Sequence, residues 1–142
     1  GMESRLLRVI DVSDPKSPKQ VGSYETGARK VFVDGGLAYA TDGGLRVIDV
    51  SNPKAPKEVG SYEMQGGAHK VFVVGGLAYV VWYEGRPGES WDLRVIDVSD
   101  PKSPKEVGSY KTPGYANDVF VADRLAYVAD GEAGLQILRF LR

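Results

Sequence analysis

Cysteine is absent from the 142 residues and histidine occurs once, as His69. Without thiols there is no disulfide, no thiol nucleophile and no thiolate metal site. One imidazole falls short of ordinary zinc ligation, so no metal is expected. Surplus charge is missing too, because 18 Lys and Arg stand against 19 Asp and Glu for a net charge of -1. That balance gives neither nucleic acid nor an anionic bilayer an electrostatic reason to bind. No apolar run reaches membrane-spanning length. The opening Met2-Glu3-Ser4-Arg5 leads straight into a patterned strand, unlike the charged stub and apolar core of a secretory leader. Catalytic signatures are equally scarce. There is no Gly-x-Ser-x-Gly elbow, and the glycine pairs sit in turns, not in a phosphate loop between strand and helix. Nothing in the spacing fixes any two of Asp42, Glu84, Glu89, Asp130 and Glu132 at a glycosidase separation. No cofactor is expected.

What the chain does have is repetition. Arg8-Val9-Ile10-Asp11-Val12-Ser13 recurs from Arg46 and again from Arg94, and Val21-Gly22-Ser23-Tyr24 recurs from Val59 and Val107. Val31-Phe32-Val33 and Leu37-Ala38-Tyr39 each recur twice in the same order, with steps of 38 to 40 and then 48 residues. The repeats divide at about 6–44, 45–92 and 93–134, with a partial fourth at 135–142. Each unit holds four short β-rich runs and no stretch of helical periodicity. In the middle unit the runs fall near 70–74, 77–82, 93–98 and 106–110. Gly75-Gly76 supplies the hairpin turn between the first two. Asp100-Pro101-Lys102-Ser103-Pro104 ends the third, since proline cannot donate to a ladder.

Leu45 to Pro56 and Leu93 to Pro104, with Val-Gly-Ser-Tyr after each, resemble the repeat of the LVIVD family over nearly the whole chain. The resemblance implies an all-β fold, a β-propeller of four-stranded blades, in a family found largely in secreted or surface proteins with no common activity. By propeller analogy the chain carries about three blades, starting at a third strand and ending at one. Three blades do not close, because propellers need at least four. Ring closure between identical chains is the economical solution, with a six-bladed C2 homodimer favoured and a nine-bladed trimer as the wider alternative. Residues 6–12 and 135–140 both claim the third position of the shared blade, and the sequence does not decide between them.

Internal repetition also sorts candidate site residues. Asp11, Asp49 and Asp97 recur in one strand position, which points to structural hydrogen bonding. The recurring tyrosines read as packing groups with a polar tip. Two places break the pattern. The middle unit inserts Trp82-Tyr83-Glu84-Gly85-Arg86-Pro87-Gly88-Glu89-Ser90-Trp91-Asp92 where the first has Thr41-Asp42-Gly43-Gly44. Trp82, Tyr83, Arg86 and Trp91 have the composition of a contact surface, or else Trp82 and Trp91 pair across strands and stabilise a long hairpin. The links entering each first strand also differ: Arg29, His69 and Asn117 are equivalent, as are Lys30, Lys70 and Asp118, with Tyr115 just before. By analogy these ring a channel mouth suited to a small anion or a protein ligand. The function expected is a non-enzymatic binding and interaction scaffold assembled from identical chains. An engineered or fragmentary propeller without ligand is the alternative, and a hydrolase or lyase at the channel mouth comes third.

Overall fold

The computed structural model describes residues 5–83, 85 and 90–139. The described residues form thirteen strands in four small antiparallel sheets. The first sheet pairs β1 (Leu6–Asp11) with β2 (Lys19–Glu25). The second runs β3 (Val31–Asp34), β4 (Leu37–Thr41), β5 (Gly44–Asp49) and β6 (Lys57–Glu63). The third runs β7 (Gly67–Val74), β8 (Leu77–Tyr83), β9 (Trp91–Asp97) and β10 (Lys105–Thr112). The fourth holds β11 (Asp118–Ala122), β12 (Leu125–Ala129) and β13 (Leu135–Arg139). Within each sheet chain neighbours are ladder neighbours, so every sheet is a simple meander.

Local chemistry sets these strands. Gly35-Gly36 and Gly75-Gly76 turn with φ of 58°, 78°, 60° and 76°, the left-handed pair that a two-residue hairpin requires. The third copy of this turn is Asp123-Arg124, which takes φ of 52° and 67° without glycine. Asp14, Asn52 and Asp100 each accept a backbone N–H two residues on, from Lys16, Lys54 and Lys102. One Pro-containing turn is thereby built three times. The last two strands of the first, second and third sheets shift register just before Gly22, Gly60 and Gly108, a bulge repeated at Val-Gly in each copy.

No single centre holds the core; it lies in layers between consecutive sheets. On β8 the side chains of Leu77, Tyr79 and Val81 pack toward the fourth sheet. Ala78, Val80 and Trp82 pack toward the second. A strand buried on both faces reads as continuous hydrophobic sequence instead of alternating, which is how residues 77–82 read. The first strands of the second, third and fourth sheets approach one another in series. Phe32, Phe72 and Phe120 stack along them at ring centroid distances of 4.9 and 4.8 Å. Farther out, sheets meet through glycine: a Cβ on Gly60 would lie 1.9 Å from the Pro101 carbonyl oxygen, and one on Gly22 1.8 Å from that of Pro53.

The stack has two uncovered ends. Val31 and Val33 are 47% and 59% exposed, whereas their counterparts Val71, Val73, Val119 and Val121 are at most 8% exposed. At the opposite end Phe120, Leu135 and Ile137 are 55 to 61% exposed, while Leu45, Val47, Leu93 and Val95 are buried.

Gly60→Ala should destabilise the chain by about 1–3 kcal/mol, because backbone must move to admit the methyl group. Gly67→Ala has nothing within 4 Å of its Cβ and should stay within about 0.5 kcal/mol of wild type. Denaturant melts of the two variants measure the contrast.

Candidate functional site

The links that enter the first strands lie on one face with the β4–β5 turn. Thr41 fastens the first link, where the Arg29 N–H donates to its carbonyl at 3.2 Å and its own N–H donates to the Lys30 carbonyl at 3.1 Å. Its hydroxyl accepts from the Lys30 N–H at 3.2 Å. Asp42 fastens the same link from the other side: Oδ2 accepts from the Thr26 hydroxyl at 2.8 Å and the Gly27 N–H at 3.0 Å. Those bonds, the Thr26 hydroxyl foremost, hold the Asp42 carboxyl below the ordinary carboxylate range, and Arg46 and Arg5 add to the effect. Arg5 reaches this face because its carbonyl accepts from the Thr26 N–H at 2.9 Å, continuing the β1–β2 ladder. In the fourth sheet Asp130 repeats the glycine half of the clamp, accepting the Gly114 N–H at 3.0 Å, while the Thr112 hydroxyl donates to the Trp91 and Gly114 carbonyls.

His69 sits at a register shift between Ala68 and Lys70. A bulged residue is left out of the ladder and re-aimed. Its ring meets Trp91 edge-on at 4.6 Å, and its other side borders a cleft of about 610 Å³ between the second and third sheets, lined also by Arg5, Arg29, Lys30, Thr41 and Asp42.

The two sequence-marked regions therefore meet at His69. Trp91 lies 4.7 Å from Tyr83 and 5.9 Å from Tyr115, between ring centroids. Of this cluster Trp91 is buried and Tyr115 is 64% exposed. Trp82 stands apart: it is 1% exposed in the core facing the second sheet, with the Arg94 guanidinium 5.9 Å from its ring centre. The expected Trp82–Trp91 pair is corrected to Tyr83–Trp91, since those two are opposite in the register and Trp82 points to the other face. Lys70 and Asp118 form an exposed ion pair at 3.7 Å across two sheets, worth little in energy, so neither charge is left over. Asn117 is exposed, and its backbone N–H donates to the Ala129 carbonyl at 2.8 Å. Arg86, with Glu84 and Glu89, lies outside the described residues.

Sequence reasoning missed Arg5 and the clamping role of Asp42. The available signal for the clamp was the recurrence of a threonine two residues after a repeated tyrosine, at Thr26 and Thr112, with an aspartate after the second strand of the next unit, at Asp42 and Asp130. The recurring aspartates are turn anchors: Asp49 and Asp97 each accept from the N–H and hydroxyl of the serine two residues on, at 2.9 and 2.6 Å. Asp11 accepts from the Ser13 N–H at 2.8 Å. Among the described residues no group of three or more His, Asp or Glu could hold a metal, and no helix is long and apolar enough to cross a membrane.

Repeated antiparallel meanders stacked through interleaved cores define a propeller-like repeat scaffold. A profile of the LVIVD repeat matches residues 4–26, 27–64, 65–112 and 113–138, and the chain belongs to that family. Each matched segment coincides with one sheet, and the second, third and fourth segments begin ahead of that sheet's first strand. No curated protein matches the chain.

A carboxylate whose pKa is lower in the folded state stabilises fully above its unfolded value, and that contribution is lost as pH falls through the folded one. Asp42→Asn should therefore be less stable than wild type at pH 7, and the difference should shrink on acidification below about pH 4. Thermal melts of both proteins across pH 2–7 read this convergence.

Proposed function

We propose that the chain is a non-catalytic binding and interaction scaffold that closes a six-bladed propeller ring with a second copy of itself. The observation that carries this reading is the pair of uncovered ends. Each end exposes apolar positions that are buried at the equivalent places inside the stack, a surface that soluble proteins cover or lose to aggregation. The ends are also complementary in strand content. The first sheet has only the third and fourth positions of a blade, and the fourth sheet has the first three.

On this reading the partner's β1–β2 hairpin completes the fourth sheet. Gly22 and Gly60 each accept the proline turn of the following sheet, and Gly108 is the third glycine of the series. The turn that would meet Gly108 is the one at Pro15 of the second copy. A cavity of about 240 Å³ between the third and fourth sheets, bordered by Leu93, Val95, Tyr110 and Leu138, supports this placement, because it opens beside β10 where an outer strand would pack. β13 is then the redundant claimant to the third position.

Native mass measurement at micromolar concentration should give a species of twice the 15.4 kDa chain mass. Val33→Glu should yield a folded monomer, and truncation after Gly134 should leave the dimer intact. A folded, monodisperse single chain for the wild type overturns the ring.

A further inference from the structure

The cleft between the second and third sheets has a composition at odds with the rest of the molecule. The chain as a whole carries a net charge of -1, yet Arg5, Arg29 and Lys30 converge on one cavity where Asp42 is the single carboxylate among the described residues. Elsewhere the cations near this face are matched: Arg46 pairs with Glu58 and Glu63, Arg94 with Asp92 and Glu106, and Lys70 with Asp118. Arg5, Arg29 and Lys30 have no ion-pair partner among the described residues. Asp42, whose Oδ2 is held by Thr26 and Gly27, offsets part of this charge and acts on Arg5, but one carboxylate against three cations leaves the cleft with a positive surplus.

The space is not repeated in the same form at the next junction. A Cβ on Gly43 or Gly67 would meet nothing within 4 Å, so glycines leave the cleft open. One repeat later the residue equivalent to Gly67 is Tyr115, whose ring stands against Trp91. His69, on its bulge, forms the wall between the aromatic cluster and the open cleft.

From this geometry we infer that the cleft binds a small multivalent oxyanion, a ligand bearing phosphate, sulfate or several carboxylate groups. Three like charges around one cavity repel one another, and a multivalent anion relieves that repulsion where a neutral ligand would not. Guanidinium groups suit oxyanions in particular, since their planar N–H forks match two oxygens at once. The volume of about 610 Å³ falls within the range of small-molecule sites. A divalent cation is disfavoured by the same charges. The site is built by one chain and does not depend on ring closure, so it predicts one ligand per chain whatever the oligomeric state.

Calorimetric titration with inorganic phosphate, sulfate and citrate in separate arms, at matched low ionic strength, tests the assignment and separates the anion classes. Saturable binding of at least one probe is expected at one site per chain. The double variant Arg29→Ala, Lys30→Ala should weaken it at least tenfold, while Lys16→Ala on an exposed turn leaves it unchanged. Gly67→Tyr places in the cleft the side chain that the next repeat carries and should abolish binding with an unaltered circular dichroism spectrum. If Gly67→Tyr fails to fold, Arg29→Gln alone decides, with the same tenfold criterion. No saturable heat with any probe, or binding that survives the arginine and lysine substitutions, overturns the site.

Discussion

Stacking of thin sheets on both faces is the constraint from which the rest of this structure follows. A sheet of four strands of four to eight residues is too small to bury its own faces, so each must be covered by a neighbour. The third sheet, covered on both sides, is the one whose central strand is apolar throughout. Close stacking in turn dictates backbone detail. Gly22 and Gly60 exist so that a carbonyl of the next sheet can approach, and the bulge beside each glycine bends the outer strand there. The Phe32–Phe72–Phe120 row does the corresponding work along the first strands. At an uncovered end the same residue types become exposed, so the ends measure within one molecule what stacking contributes.

Because the scaffold is repeated, each copy serves as a control for the others. Turn anchors, bulges and packing positions recur and can be assigned to the fold. The face carrying the strand entry links is where the copies diverge: the shorter link at Arg29 and Lys30 beside two glycines opens a cleft, while Tyr115 and Trp91 fill the next junction. Variation is tolerated there because link residues sit at strand ends and few of them are part of a stacking layer. The clamp by Asp42 and Asp130 shows that even this face keeps a fixed frame. Charge and shape can therefore change without disturbing the sheets beneath.

Strand number, order and turns were legible in the sequence because each rests on local signals: Gly-Gly, Asp-Pro-Lys-Ser-Pro and the apolar runs between them. What stayed hidden depends on register and on contacts between distant segments. Trp82 and Trp91 flank the insertion alike, yet pairing of Tyr83 with Trp91 sends the two tryptophans to opposite faces, one into the core and one toward His69. A one-residue shift of this kind reverses every side chain, and no composition argument fixes it. The Asp123-Arg124 turn was obscure because its residues are not the ones that its positive φ values favour. Arg5 was overlooked because its place depends on β1 pairing with β2, twenty residues away.

The proposed closure also has an energetic logic at the level of single strands. β12 pairs with β13 over five positions, and the equivalent second-to-third pairings inside the stack span five for β4 with β5 and seven for β8 with β9. Replacing β13 by the partner's β1, a strand of six residues, would exchange one ladder for another of comparable length, and the hydrogen-bond balance of that step would be close to neutral. What would change is the remainder: the partner's β2 would arrive as a fourth strand beside a third sheet that has no outer neighbour, and Val31 and Val33 of one chain would meet the apolar face that carries Phe120 in the other. On that proposal exchange of backbone partners would be nearly free, and association would be driven by the apolar faces it covers. On the proposed closure the free energy of assembly would be set by those side chains, with β13 a placeholder that keeps the β12 edge paired until a second chain docks.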